Sequence, residues 1–482
     1  MLSAVLLTSN YISSAVLPVY AAESAVSEDP DLSGMTYEEQ ASARKELPVD
    51  SNNIPGWPAG PAIGAQSAIL MDAETGTILY SKNIHEKLYP ASTTKLLTCL
   101  IAMEQGSLDD EVKFSYEAVH SVPPDGSNMG MDAGQHITLE ECLYGIMVGS
   151  ANEVANATAE YIAGSIDDFV TLMNERAEEL GCTDSHFMNT NGLFDKNHYT
   201  SAYDLALIGK AYFANEMLCK IGNTPRYHFE PSEGQPDDFY KNNKHALING
   251  EVPYKGIQGG KTGYTDEARQ TLVTCCEQNG MKLICVVMKE ESPDQFYDTV
   301  TLFDYGFSNF QKVKVADYET SYTVTGPHFF QAGNDIFGSS KQFLTLDQNT
   351  YVILPNQISF DALDKEVDYS VQTKGSDMVA RIDYSYHHTP IGYSYIHLKE
   401  DAAASYTFNS VNAASEENQN ALILINVRFC ILVLSGGAVL LGLLIIVFSL
   451  LKDFHFSEKK KPPKQPKRKA PKSYGRFKDV DF

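Results

Sequence analysis

Ser92 and Lys95 stand three residues apart at the start of 92–104, a run with helical spacing and no proline. An i, i+3 pair at a helix start brings Ser Oγ and Lys Nζ to one face, which sets a nucleophile beside its own base. The lysine acts as a base only when unprotonated, and that requires burial or a second cation nearby. Lys261 is a candidate for that cation, in Lys261-Thr262-Gly263 on a predicted strand over 256–265. Lys261 and Thr262 can also grip a carboxylate, and Gly263 lets a substrate lie close along the strand. Ser150-Ala151-Asn152 adds a hydroxyl able to relay a proton and an amide able to hold a substrate amide or to fix Lys95. The N–H groups and positive dipole end of a helix starting at Ser92 favour an oxyanion there.

Singly these motifs are weak. Serine is a favoured helix cap and most lysines lie on the surface. S-x-x-K recurs at Ser42/Lys45, Ser449/Lys452 and Ser457/Lys460, and S-x-N at Ser51/Asn53 and Ser410/Asn412. Those copies fall in segments read below as leader, stalk, apolar span or basic tail, where no packed site forms. K-T-G occurs once, and a single combination agrees in order and context.

The elements that must hold the three motifs are legible. Ser67–Asp72 and Thr77–Tyr80 flank Glu74-Thr75-Gly76 as a hairpin. Helical spacing covers 138–163, and 167–180 reads as an amphipathic helix ending at Gly181. Strands are predicted over 256–265, 270–277 and 282–288, with Asn279-Gly280 as the turn between the last two. Pro293 then opens a helix to about Asn309. Past Lys312, short alternating runs (313–315, 320–324, 351–354, 369–372, 380–386 and 391–398) predict an all-β module over 312–400. The organisation that follows is a catalytic domain over 56–311, the β module, and a stalk over 401–428 rich in Ala, Ser and Asn.

Charge and hydropathy address location. The 482 residues carry a formal net charge of −25, yet 452–482 alone carry 11 Lys+Arg against 4 Asp+Glu. The remainder is acidic enough to repel phosphates, which excludes nucleic-acid binding for the bulk of the chain. Residues 429–451 hold no charge and would make a helix of about 34 Å, long enough to span a bilayer. The basic tail that follows reads as cytoplasmic and able to attract anionic lipid, which puts the acidic body outside the cell. Residues 1–22, apolar with small residues near Ala21, read as a signal peptide, and 23–55 as a disordered acidic leader. Eight cysteines without a C-x-x-C pair read as buried thiols, and neither a metal site nor a cofactor is indicated.

At the S-x-x-K, S-x-N and K-T-G motifs the chain resembles the low-molecular-mass penicillin-binding proteins, serine-type D-Ala-D-Ala carboxypeptidases of the peptidase S11 type; a closely similar motif set also marks class A β-lactamases. The resemblance extends to the 67–83 hairpin, Gly134-Gln135, Asn189–Gly192 and His198–Asp204, and covers about 57–310. It implies an α/β (α+β) fold: a DD-peptidase/β-lactamase-like antiparallel sheet flanked by helices, a helical subdomain, then a small all-β domain; the C-terminal transmembrane helix read from hydropathy at 429–451 stands where the family often has an amphipathic anchor. It implies Ser92 as acyl-ester nucleophile, Lys95 as general base, Ser150 as proton shuttle and Lys261 as binder of the terminal carboxylate. The N–H groups of Ser92 and Tyr264 would form the oxyanion hole. The implied substrates are peptidoglycan stem peptides ending in D-Ala-D-Ala, with β-lactams as acylating inhibitors. Two positions depart from the pattern: Glu153-Val154 replaces the commoner Asp-Ala, and Arg269 stands where a small residue is more usual.

Three other readings share the trio. A β-lactamase would normally lack the β module and the span, and would need a deacylating Glu with a partner Asn between S-x-N and K-T-G. A D,D-endopeptidase differs in leaving group alone. A non-catalytic wall-binding or penicillin-sensing protein would not need the intact trio, and a sensor would need a larger output domain than residues 452–482 provide.

Overall fold

A computed structural model of the chain describes residues 34–319, 344–371 and 377–398. All of them fall within the first of two compact units, 1–407. The expected signal peptide, stalk, apolar span, basic tail and the strand at 320–324 lie outside the described residues. Among the described residues no helix is long and apolar enough to cross a membrane.

In chain order come α1 (Tyr37–Arg44), the hairpin β1 (Ser67–Asp72) and β2 (Ile78–Lys82), and α2 (Lys95–Gln105). A mainly helical stretch follows: β3 (Glu111–Lys113), α3 (Tyr116–His120), β4 (His136–Thr138), α4 (Leu139–Val148), α5 (Asn152–Ala163) and α6 (Ile166–Glu179). Next are α7 (Ala202–Phe213), α8 (Glu216–Gly222), β5 (Arg226–Phe229), β6 (Phe239–Asn242) and α9 (Ala246–Asn249). Then β7 (Ile257–Thr265), β8 (Arg269–Gln278) and β9 (Met281–Glu290) lead into α10 (Asp294–Asn309).

The five long strands form one antiparallel sheet in the order β2-β1-β9-β8-β7. Asn279 and Gly280 both have positive φ, which matches the twist a two-residue hairpin turn needs between β8 and β9. The sheet is apolar on both faces. Ile284, Val286 and Met288 join the helical core, and Leu283, Cys285 and Val287 the opposite one with α10. Period-two alternation thus divides each apolar run between two cores. Strand β7 is the sheet edge, so the K-T-G motif lies on an edge strand.

A second antiparallel sheet joins β10 (Phe310–Lys314), β12 (Tyr351–Pro355), β15 (Thr389–Leu398), β14 (Met378–Tyr386) and β13 (Asp364–Asp368) in that order, and β11 (Leu344–Leu346) pairs with β15. Its strand β13 replaces the strand expected over 369–372. The observed segment is charged and mostly exposed because it is the sheet's last strand, where charged residues block further pairing. Trp57 binds this module to the first sheet by packing on Phe310 and Tyr386 while its Nε1 donates to Leu79 O at 2.8 Å.

The expectation of a disordered leader is corrected over residues 34–55. Thr36 and Glu39 cap α1 reciprocally, and Arg44 at its last turn is buried. Arg44 Nε donates to Gly64 O at 2.7 Å, and its guanidinium lies 3.6 Å from Glu291 and 3.9 Å from Glu290. Lys82 Nζ donates to Arg44 O and Ile63 O. Counting acids in this segment hides a cap and one buried cationic anchor.

Candidate active site

Two departures from regular helix bring the three motifs together. The expected helix at 92–104 begins as a 3₁₀ turn, Ala91–Thr94, and becomes α-helical at Lys95. The expected continuous helix over 138–163 is broken at Gly149-Ser150-Ala151, where Ser150 takes φ +57°. That left-handed residue starts a new helix at Asn152, whose side chain reaches Lys95.

Lys95 is completely buried. Its Nζ lies 2.7 Å from Asn152 Oδ1, 2.5 Å from the Asn191 carbonyl and 3.0 Å from Ser92 Oγ. Burial first, and Lys261 second, drive its pKa well below the ordinary lysine range. A neutral amine has two N–H bonds and one lone pair. As an ammonium, Lys95 donates to all three oxygens; once it has lost a proton, the two shorter contacts can keep both N–H bonds and the lone pair is left to accept from the Ser92 hydroxyl. Ser92 itself is partly exposed, as an attacking group must be.

Lys261 Nζ donates to Ser150 Oγ at 3.0 Å and to Thr262 O at 2.9 Å. Burial, reinforced by Lys244, lowers its pKa to about 7. Thr262 is half-buried and Tyr264 is 49% exposed at the outer end of β7. Gly263 is a steric requirement: a Cβ there would come within 2.9 Å of both Ser92 N and Pro90 O. Thr271 Oγ1, on β8, donates to Pro90 O at 2.8 Å and holds the nucleophile turn against the sheet.

Several supporting groups carry no motif of their own. The Asn191 carbonyl that takes a Lys95 N–H is fixed by its loop: Gly192 has φ +86°, and Asn189 Oδ1 accepts from Gly192 N. Asn156 Oδ1 accepts from Thr190 Oγ1 at 2.6 Å and from Asn191 Nδ2 at 3.3 Å. His198 Nδ1 accepts the Met188 amide proton, so Nε2 carries the proton and donates to Thr94 Oγ1, which donates to Ala91 O. Burial depresses His198 to about 3, which keeps that tautomer neutral. The turn composition Asn-x-Asn-Gly and the buried His198 stretch were visible in the sequence; their tasks were not.

The two departures from the family pattern have distinct roles. Glu153 Oε1 accepts from the amides of Met129 and Gly130, which ties the loop after α3 to α5. Arg269 takes φ +51°, a conformation glycine adopts freely, and its Nε and Nη2 donate to Glu291. The seven described cysteines are free, six of them buried. Among the described residues no cluster of metal-ligating side chains occurs.

A partly exposed serine beside a buried lysine at a helix start, faced by a second lysine on the edge strand of an antiparallel sheet, is the arrangement that a serine acyl-transfer enzyme with a lysine base requires. The family profile for D-alanyl-D-alanine carboxypeptidase, peptidase S11, matches residues 55–292. The chain is 36% identical over 253 residues to D-alanyl-D-alanine carboxypeptidase DacF of Bacillus subtilis, covering 51% of this chain and 63% of that protein. It is 32% identical over 270 residues to DacB2 of Mycobacterium tuberculosis, 54% of this chain and 86% of that protein. Penicillin-binding protein 6B of Escherichia coli superposes with a TM-score of 0.53 at 25% identity, covering 71% of this chain and 98% of that one. Penicillin-binding protein 5 of Haemophilus influenzae, at 24% identity and a TM-score of 0.56 with the same coverage, shares the fold. This chain belongs to the D-alanyl-D-alanine carboxypeptidase family, peptidase S11. It spans 63% of the length of DacF and 65% of DacA of Haemophilus influenzae.

Proposed function

We propose that the chain is a serine-type D-Ala-D-Ala carboxypeptidase that removes the terminal D-Ala from peptidoglycan stem peptides. The observation that carries this is the placement of the buried Lys95, whose Nζ lies 2.7 Å from Asn152 Oδ1, 2.5 Å from Asn191 O and 3.0 Å from Ser92 Oγ; in the unprotonated amine the two shorter contacts take the N–H bonds and the lone pair faces Ser92 Oγ. Lys261 with Thr262 holds the substrate carboxylate, and the N–H groups of Ser92 and Tyr264 receive the oxyanion. Lys95 takes the Ser92 proton as Oγ attacks the carbonyl of the penultimate D-Ala. The C–N bond then breaks, and the leaving D-Ala nitrogen takes, by way of Ser150, the proton that Lys95 removed from Ser92, which returns Lys95 to its unprotonated form; Lys261 donates to Ser150 Oγ at 3.0 Å and orients that hydroxyl. Water attacks the Ser92 ester with Lys95 again as base and restores the enzyme. β-Lactams, which present a similar carboxylate beside a strained amide, acylate Ser92 by the same route.

The location belongs to this reading. An uncharged stretch at 429–451 followed by a basic tail favours a single-span membrane protein, with an N-terminal signal peptide, its catalytic domain outside the cell and its C-terminus inside. Brief exposure to benzylpenicillin and intact-mass measurement should give one penicilloyl adduct, absent in Ser92→Ala, and the unmodified enzyme should release D-alanine from a D-Ala-D-Ala peptide. Adduct formation on Ser92→Ala, or D-alanine release that survives the substitution, refutes the assignment.

A further inference from the structure

Arg269 adopts a left-handed backbone conformation that a side chain disfavours, and its guanidinium joins three separate elements. It is paired bidentately with Glu291 after β9, and Nη1 donates to Tyr264 OH at 3.2 Å. The ring of Tyr37, on α1, covers it at 3.6 Å from the ring centroid. Tyr37 lies outside the family match at 55–292, and Arg44 seats its helix against Glu290 and Glu291. Tyr37 and Tyr264 remain 53% and 49% exposed, so two aromatic surfaces bracket a partly buried guanidinium where β7 leaves the site.

The polarity of β7 says what passes there. In the proposed function the substrate's terminal carboxylate meets Lys261 and Thr262, and its scissile carbonyl meets the Ser92 and Tyr264 amides. A peptide placed in that way runs from its C-terminus toward its N-terminus as β7 runs from Lys261 to Thr265. The part upstream of the scissile bond therefore meets Tyr264 and then Tyr37. We infer that Tyr37 and Tyr264, with Arg269 as the positioning residue between them, form a donor-side wall that contacts the stem peptide N-terminal to the D-Ala-D-Ala unit. The wall favours long peptide donors over short acyl-D-Ala-D-Ala ones, because a short donor ends before it. This inference rests on the carboxypeptidase reading and adds to it the recognition of donor length by a helix outside the matched region.

The test compares kcat/KM on N-acetyl-D-Ala-D-Ala and on a stem pentapeptide with the same terminus, in the wild type, Tyr37→Ala, Arg269→Gly and Arg269→Lys. Tyr37 is exposed and glycine suits the backbone at 269, so both truncating variants are compatible with the fold. The pentapeptide-to-dipeptide ratio should fall about 5- to 10-fold in Tyr37→Ala and Arg269→Gly, mainly through KM on the pentapeptide. Arg269→Lys, which keeps the charge and loses the planar fork, should restore only part of it. Benzylpenicillin acylation of Ser92 reports folding and site integrity in every variant. A ratio unchanged in both truncating variants while the adduct still forms overturns the wall and leaves the carboxypeptidase reading standing. A wild type with neither adduct nor D-alanine release overturns both.

Discussion

Gly263 and Ser92 approach so closely that a methyl group on the first would lie 2.9 Å from the amide nitrogen of the second. The edge strand and the nucleophile turn are in backbone contact, and the same methyl group would also run into Thr271 Oγ1, which holds Pro90 O against the sheet. Gly263→Ala must push β7 outward or turn the 3₁₀ segment. A shift of order 1 Å in such a site costs about 100-fold in rate. The acylation rate with benzylpenicillin measures this directly, and a rate within a few-fold of wild type would show that the contact does not set the site.

Asn152 acts through Lys95. In the proposed mechanism its Oδ1, 2.7 Å from Lys95 Nζ, takes one of the two N–H bonds of the unprotonated amine and so aims the lone pair. Asn152→Ala frees that N–H to compete for Ser92 Oγ and should lower kcat for D-alanine release by about 10- to 100-fold. Asn152→Asp tests the charge: a carboxylate at this distance favours the ammonium form and should move the acid limb of the pH profile upward. An acid limb that stays in place would remove Lys95 as the titrating base.

The two lysines predict a bell-shaped pH dependence of kcat/KM, which reports the free enzyme. Activity rises as Lys95 loses its proton, at a pKa well below the ordinary value because of burial and Lys261. It falls as Lys261, at about 7, loses the charge that holds the carboxylate. Lys261→Arg keeps its charge throughout this range and should remove the alkaline limb even where its maximum is reduced. An alkaline limb that persists in this variant assigns it to another group.

The buried anchor of α1 gives a stability prediction. Arg44→Ala removes the guanidinium that bonds Gly64 O and faces Glu291, and should cost about 2 kcal/mol, read as a lower Tm. Burial, followed by Asp298, raises Glu290 to about 9, so the folded state holds a proton that the unfolded chain gives up near its ordinary value of 4.5. Its contribution is therefore complete at low pH and is lost as pH rises toward 9. Glu290→Gln should gain in Tm relative to wild type as pH rises between those values. A difference that stays constant with pH would mean that Glu290 is ionised in the fold.

The parts of the site that were legible in the sequence are side chains of distinctive type at fixed spacing. Ser92, Lys95, Ser150 and Lys261 could be chosen because K-T-G occurs once and a single combination of the three motifs agrees in order and context, although the decoys Ser42/Lys45 and Ser51/Asn53 lie in a segment that does fold. The Asn191 carbonyl was not legible, since a backbone oxygen has no residue type. The His198–Thr94–Ala91 chain joins residues 104 positions apart. The long strands were readable from apolar runs and from Asn279-Gly280. Edge strand β13 was not, because edges favour the charges that interior strands exclude. The α1 segment was misread for a related reason: its acids dominate the composition, while one buried arginine and one capping box decide its structure.

The placement of α1 also bears on the order in which the protein is made. The segment that supplies Tyr37 and Arg44 is synthesised before nearly all of its partners; Gly64, whose carbonyl accepts from Arg44, is itself held by Asp298, 234 residues further on. Until β9 and α10 have emerged, Arg44 lacks the two carboxylates that face it and α1 can form only its contacts with Gly64 and Lys82. Its seating is therefore a late event and reports that the last strand of the catalytic sheet has arrived. A chain interrupted before Glu290 would leave residues 37–44 undocked, too short to hold a helix alone and open to whatever binds or degrades unfinished proteins.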